Sequence, residues 1–405
     1  MSDQAAGRWS ALMVICIGVV GVLATWFSAT AIIPELVKVW HLSNGDASWL
    51  TNAVQLGFVI GALSASLVNL PDIIRLNRLM ALSALLAAVA NGLLLANPSI
   101  EIAILLRFLT GMFLAGVYPA ALKLMATWFT KGRGLALGFL IGALTIGSSA
   151  PHLFRAVTDH IQWQWVVLVS STTSLLAATL FVWKVREGPY AFGKALFDPK
   201  QCLKVFTSKP LFLVNMGYFG HMWELYAMWA WLLAYANAAS HHLISFPFGS
   251  PSMFCFTVVA SGSIGCVLGG VLSDRFGRCY TTIGMMLVSG CCALLMGFVF
   301  DGPGWLLAIV AVVWGISIIG DSAQFSAAVT ELADKDFVGT ALALQLGVGF
   351  ALTVVAISIL PILANALGSW QWVFLILVPG PMIGIVAMGL LRTLPDAGRL
   401  AAGAK

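Results

Sequence analysis

Stretches of about twenty nearly continuous apolar residues recur from one end of this chain to the other. A helix of that length rises about 30 Å and crosses the hydrocarbon core of a bilayer. Water is absent there, so every main-chain N–H and C=O must be satisfied within the protein, by helices or by a closed barrel. The apolar runs are continuous and do not alternate with period two, which excludes the barrel. Composition agrees: 60% of the 405 residues are hydrophobic and only 9% are charged, against about 25% charged in soluble chains. The sequence therefore specifies an all-α, polytopic membrane protein.

Twelve transmembrane helices are expected, over 10–37, 47–69, 78–96, 100–129, 134–157, 164–186, 210–238, 251–272, 280–300, 304–332, 339–367 and 371–392. Most connections are short and carry turn residues, as in NPS at 97–99 and DGPG at 301–304. One long polar connection, REGPYAFGKALFDPKQCLKVFTSKP, separates two sets of six. The expected organisation is an N-terminal six-helix bundle over 1–186, a central loop over 187–209 and a C-terminal bundle over 210–405. The N-terminal MSDQAAGRWSALMV reads as the start of a first spanning helix, since it lacks a small-residue cleavage site.

Basic residues set the orientation. Arg75, Arg78, Lys131, Arg133, Lys184, Arg186, Lys194, Lys200, Lys204, Lys209, Arg275, Arg278 and Lys335 fall in loops on one side. Both termini are therefore expected to be cytoplasmic. Trp40, Trp49, Trp163, Trp165, Trp305, Trp370 and Trp372 fall at the opposite ends, as interfacial anchors should. Short termini and loops point to a prokaryotic inner membrane. The net charge of +5 is spread over short loops, so no nucleic-acid partner is implied. The seven cysteines show no zinc spacing, and no nucleotide-binding loop is present, so neither a metal, a cofactor nor ATP is expected.

The two halves are related. WQWV stands at Trp163–Val166 before the sixth run and again at Trp370–Val373 before the twelfth, an offset of 207 residues. GRGLALG at 132–138 pairs in the same way with VGTALAL near Val338. Duplicated bundles in equivalent topological positions are the basis of alternating access in secondary transporters.

The loop GGVLSDRFGR at 269–278, between the eighth and ninth runs, resembles the loop signature of the major facilitator superfamily through Gly270, Asp274, Arg275, Gly277 and Arg278. The corresponding loop of the first half, NLPDIIRLNR, keeps Asp72, Arg75 and Arg78 but lacks the Asp-Arg pair and the turn glycine. A second family pattern, an arginine followed four residues later by glycine, matches Arg107 and Gly111 in the fourth run. The resemblance spans the whole chain. It implies two pseudo-symmetric six-helix bundles, with the fourth, seventh and tenth helices lining the pathway. LKLMATWFTKGRGLALGFLIGALTIG is similar to the nitrate/nitrite and cyanate porter side of the superfamily. The arginines that nitrate carriers of that group place midway in spans two and eight are absent here, as is the span-five signature of drug antiporters. Within the loop signature, glycines permit close helix approach and a tight turn. Asp274 can face a helix N-terminus, and Arg275 and Arg278 can reach Glu331 or Asp334. These residues form the expected cytoplasmic gate.

Charge at bilayer depth costs about 2.5–3.5 kcal/mol per group on insertion scales. The embedded groups are few: Arg107, Lys123, His152, His221, Glu224 and Asp321. His221 and Glu224 lie three residues apart, on one helix face. A histidine and a glutamate so placed can carry protons, or can pair statically to stitch the helix to a neighbour. Asp321 can take a proton, bind a cationic group or pair with Arg107. Arg107 suits a substrate carboxylate or an ion pair. Lys123 can snorkel to the interface. His152 is expected to pack through a hydrogen bond, and Glu35 and Lys38 to end the first helix. The aromatics Trp223, Tyr226, Trp229 and Trp231 surround the seventh helix, so some are expected to face lipid and Tyr226 to line the pathway. The function expected is a proton-coupled secondary transporter, a monomer, moving a small anion or organic metabolite. The alternative is a proton antiporter exporting larger amphipathic compounds. No nucleophile–base constellation points to an enzyme.

Overall fold

The computed structural model describes residues 6–68, 70–129, 133–157, 162–190, 205, 207–243, 245–334 and 338–404. The chain forms two compact units, Met1–Leu196 and Phe197–Lys405. Lys131, Gly132, Lys194, Lys200, Lys204 and Lys335 lie outside the described residues.

The fold is helical throughout the described residues, with the spans in the expected order. In the first unit, span one is Arg8–Leu23, continued after a break by Thr30–Ile32 and Ile33–Trp40. Span two is Asn44–Leu67, span three Leu76–Gly92, span five Arg133–Val157 and span six Gln164–Lys184. Span four is two segments, Ile100–Leu114 and Tyr118–Ala126. In the second unit, span seven is Lys209–Ser240, span eight Pro251–Phe276 and span nine Arg278–Val299. Span ten is Gly304–Gly320 followed by Ser322–Leu332. Span eleven is Val338–Leu367, and span twelve joins Val373–Leu377 to Pro379–Thr393.

Apolar periodicity predicts spans one, four and ten as single rods; the structure breaks all three. In span four, Pro119 has no N–H to give and sits in the first turn of the second segment. In span ten the break falls at Asp321, between two segments. Span one leaves the α-helix after Leu23: the N–H groups of Thr25 and Trp26 tighten to i→i−3 bonds, and Thr25 and Ser28 turn their hydroxyls onto nearby carbonyls.

Close approach of helices follows from glycine. A Cβ at Gly57 would lie 1.9 Å from the Phe108 carbonyl oxygen, and one at Gly111 2.0 Å from that of Val54, so spans two and four touch backbone to backbone. The second unit repeats the device between spans eight and ten. There a Cβ at Gly265 or Gly269 would lie 1.8 Å from the carbonyl oxygens of Ile316 and Gly320. Small residues at the contact allow this approach where no hydrophobic effect drives the helices together.

Among the described residues, ten helices are long and apolar enough to cross a membrane. Arg8–Leu23 is a shorter apolar helix, and span seven, 32 residues long, stands outside that group. Span seven is buried on nearly all sides, against spans eight, ten, eleven and twelve. Of the aromatics around this helix, Tyr226, Trp229 and Trp231 are buried and Trp223 is half-buried. Their polar ends stitch it to its neighbours. Trp231 donates to the Ile357 carbonyl at 2.8 Å, Trp223 to that of Ile376 at 2.9 Å and Tyr235 to that of Met296 at 2.6 Å. A helix enclosed by protein need not be uniformly apolar, because its polar atoms find partners there.

Candidate functional site

Span seven places His221 and Glu224 one turn apart, yet each has its own partners. The break in span ten brings Asp321 against His221, with Oδ1 2.9 Å from Nδ1. The contact is close enough for an ion pair without hydrogen-bond alignment, and His221 Nε2 has no hydrogen-bond partner among the described residues. The imidazole packs beside Phe325 and Tyr218, at ring-centroid distances of 5.7 and 6.0 Å. Glu224 instead accepts from Trp314 Nε1 at 2.7 Å and from Ser289 Oγ at 2.9 Å, which ties span seven to spans ten and nine. His221, Glu224 and Asp321 are each no more than 2% exposed. Two carboxylates and an imidazole are thus buried on spans seven and ten of the second unit.

Arg107 is completely buried in the first unit. Its guanidinium donates to the carbonyls of Thr25 (2.9 Å), Trp26 and Leu50 (3.4 Å), to Ser28 Oγ (3.2 Å) and to Asn91 Oδ1 (2.8 Å). Asn91 donates onward to Ser171 Oγ at 2.9 Å. Thr25 and Trp26 stand just past the C-terminus of the Arg8–Leu23 helix, outside its hydrogen-bond ladder, and Arg107 caps their carbonyls. Sequence reasoning offers Asp321 as a partner for Arg107. In the structure the arginine is taken up by main-chain oxygens of its own unit, and Asp321 by His221.

Of the other embedded groups, Lys123 is half-buried on the second segment of span four. Tyr226 packs its ring on Phe350 (5.1 Å) and Trp229 (5.6 Å). His152 is buried, and its Nδ1 has no hydrogen-bond partner among the described residues. Glu35 forms an ion pair with Arg155, tying the end of span one to span five.

The loop between spans eight and nine turns at Gly277, whose φ of +87° favours a residue without Cβ. Arg278 reaches Glu331, with Nη2 2.8 Å from Oε1, and Nη1 donates to Ser273 Oγ and Gln324 Oε1, both at 2.7 Å. Glu331 Oε2 also accepts the Ala401 N–H at 3.0 Å. Asp274 and Arg275 are exposed, Arg275 lying over the Phe276 ring. Gly270 is buried, but the close contact with span ten belongs to Gly269. In the first unit Arg75 is exposed at the start of span three, where Glu187 accepts the Leu76 N–H at 3.3 Å. The side chain of Asp72 lies outside the described residues.

Sequence reasoning missed Trp314, Ser289 and Asn91. One signal was available for the first: the 207-residue repeat offset carries Arg107 onto Trp314. Both residues tie the first segment of a broken span to the opening span of their own unit. Ser289 and Asn91 are ordinary polar residues within apolar runs, and only packing reveals their partners.

Comparison with known proteins bears on the whole chain. The family model for the Major Facilitator Superfamily matches residues 15–350. The gentisate transporter of Corynebacterium glutamicum is 23% identical over 83% of this chain and 76% of its own length. The hexuronate transporter of Escherichia coli K12 is 23% identical over 74% of this chain and 72% of its own. The puromycin resistance protein pur8 of Streptomyces alboniger is 30% identical, but over only 42% of this chain and 34% of its own length. Thus the match spans about a third of that relative and over two thirds of the two named before it. The structure superposes on the E. coli fucose:proton symporter FucP with a TM-score of 0.65 at 13% identity, covering 96% of this chain and 100% of that one. The chain has the twelve-helix fold of these transporters, and it belongs to the Major Facilitator Superfamily.

Proposed function

We propose that this protein is a proton-coupled carrier of small organic anions, with the His221–Asp321 pair and Glu224 as its proton-handling centre. The observation that carries the reading is the burial of two carboxylates and an imidazole together on spans seven and ten, where their desolvation needs a reason. Relatives matching most of the chain carry the names of organic-acid transporters, gentisate and hexuronate. A carboxylate substrate class fits them better than the inorganic anions suggested by the likeness to nitrate and cyanate porters. Arg107 serves here as a pin for span one, not as the anion anchor. Alternating access would work two bundles, 1–186 and 210–405, joined by the 187–209 loop. The loop residues Asp274, Arg275 and Arg278 with Glu331 would act as the gate at the cytoplasmic face of an inner membrane, where both termini lie. A monomer suffices for this scheme.

A second reading, export of amphipathic compounds, rests on the match to the puromycin resistance protein. Uptake into proteoliposomes decides between them. Gentisate, glucuronate, sulfoacetate, nitrate and puromycin are offered with and without a pH gradient. Gradient-driven accumulation of an organic acid supports the first reading. Movement of puromycin alone overturns it in favour of export. In the carrier, Glu224→Gln and Asp321→Asn each remove accumulation while the protein still elutes as a folded species. Full gradient-driven accumulation in both variants would remove the proton centre.

A further inference from the structure

We infer that the interrupted stretch of span one and Gln55 of span two form the hydrogen-bonding site for a hydroxyl-bearing carboxylate; this rests on the organic-anion reading above. The argument starts from Gln55. Its side chain is completely buried, and neither its amide oxygen nor its amide nitrogen has a hydrogen-bond partner among the described residues. Burying an amide without partners costs about 1–3 kcal/mol on protein scales. A fully buried side chain that leaves both ends unmet needs an explanation, and a bound ligand supplies one.

Its direction follows from its neighbours. Thr51, Gln55 and Phe58 stand at i, i+4 and i+7, on one face of span two. Thr51 Oγ1 meets Thr30 Oγ1 at 2.8 Å, and the Phe58 ring lies 5.0 Å from that of Trp26. Gln55 falls between these two contacts, so its amide faces the non-helical stretch between Trp26 and Thr30. Within that stretch the N–H groups of Ser28 and Ala29 have no main-chain acceptor among the described residues. The carbonyls of Thr25 and Trp26 are already held by Arg107, so the backbone there is fixed.

The chemistry on offer is rich in donors: two amide hydrogens from Gln55 and the main-chain N–H groups of the break. One acceptor, Gln55 Oε1, stands among them. Neutral donors of this kind bind a carboxylate, and the lone acceptor suits a hydroxyl on the same molecule. No full positive charge is needed.

The test is uptake kinetics and ligand-dependent melting of the wild type, Gln55→Leu and Gln55→Met. The probes are gentisate, glucuronate and, as the hydroxyl-free comparison, benzoate. Loss of hydrogen bonds to an uncharged side chain predicts about a tenfold rise in KM for the hydroxylated acids. Maximal rate stays unchanged and benzoate is affected less. Gln55→Met keeps the length of the side chain and decides the matter where Gln55→Leu fails to fold. Unchanged KM in a folded variant of a wild type that transports these acids overturns the site and leaves the organic-anion reading standing. A wild type that neither transports any of them nor is stabilised by them against heat overturns both.

Discussion

Replacing Arg107 by Met is the sharpest probe of how the first unit holds a broken helix inside a membrane. The change removes the charge but keeps a long apolar side chain. The carbonyls of Thr25, Trp26 and Leu50 and Asn91 Oδ1 each lose the guanidinium as a donor; Ser28 Oγ lies 3.1 Å from the Thr25 carbonyl and 2.6 Å from Asn91 Oδ1, but its one hydrogen serves only one of the two. One orphaned buried carbonyl costs about 1–3 kcal/mol, and each lost hydrogen bond to a charged group about 1.5–3 kcal/mol. Against this, removing a buried charge relieves its desolvation cost. That relief does not reverse the sign, because the partners are main-chain oxygens that no side-chain substitution takes away. A net loss of about 3 kcal/mol corresponds to a fall in melting temperature of about 6–12 °C for a unit of this size. Thermal melting of the detergent-solubilised protein, followed by size exclusion, reads it directly, with the exposed Arg78→Met as the control. A melting point within about 2 °C of wild type would refute the capping argument. The exchange Arg107→Asp with Asp321→Arg gives no rescue, since each residue's partners lie within its own unit.

Three further outcomes are expected. Gly269→Ala drives a methyl group into the Gly320 carbonyl and lowers the yield of folded protein several-fold, whereas Gly389→Ala, with open space around it, changes nothing in a parallel expression test. Arg278→Ala and Glu331→Ala couple by about 1 kcal/mol in a double-mutant melting cycle, because their ion pair is mostly shielded from solvent; additive effects would count against the contact. Trp314→Phe removes one of the two donors to Glu224 while keeping the ring packed on Phe374, so melting falls modestly. If Glu224 is a proton carrier, the pH dependence of uptake moves as well; an unchanged pH profile would place Glu224 outside the proton path.

Helicity and the order of the spans were legible because a bilayer allows so few solutions. Runs of apolar residues must be helices there, and an embedded charge is rare enough to be noticed. That reasoning singled out Arg107, His221, Glu224 and Asp321 without any coordinates. It paired them by proximity in sequence or by opposite charge, and there it failed. His221 meets Asp321, a hundred residues away, and not Glu224 three residues on. Apolar periodicity is equally blind to the break at 24–29, since a broken span and a straight one have the same hydropathy.

What the sequence determined alone was the solvent, the helical class, the duplication and the identity of the few polar groups the membrane must tolerate. Which oxygen each of those groups holds was decided only by tertiary structure. Glycine contacts between spans two and four, and between eight and ten, fix helix spacing to within about an ångström, and hydrogen bonds are made or lost on that scale. An arginine is written in the chain as a charge. Packing alone turned it toward the carbonyls just past a helix end and left the Gln55 amide buried without a hydrogen-bond partner among the described residues.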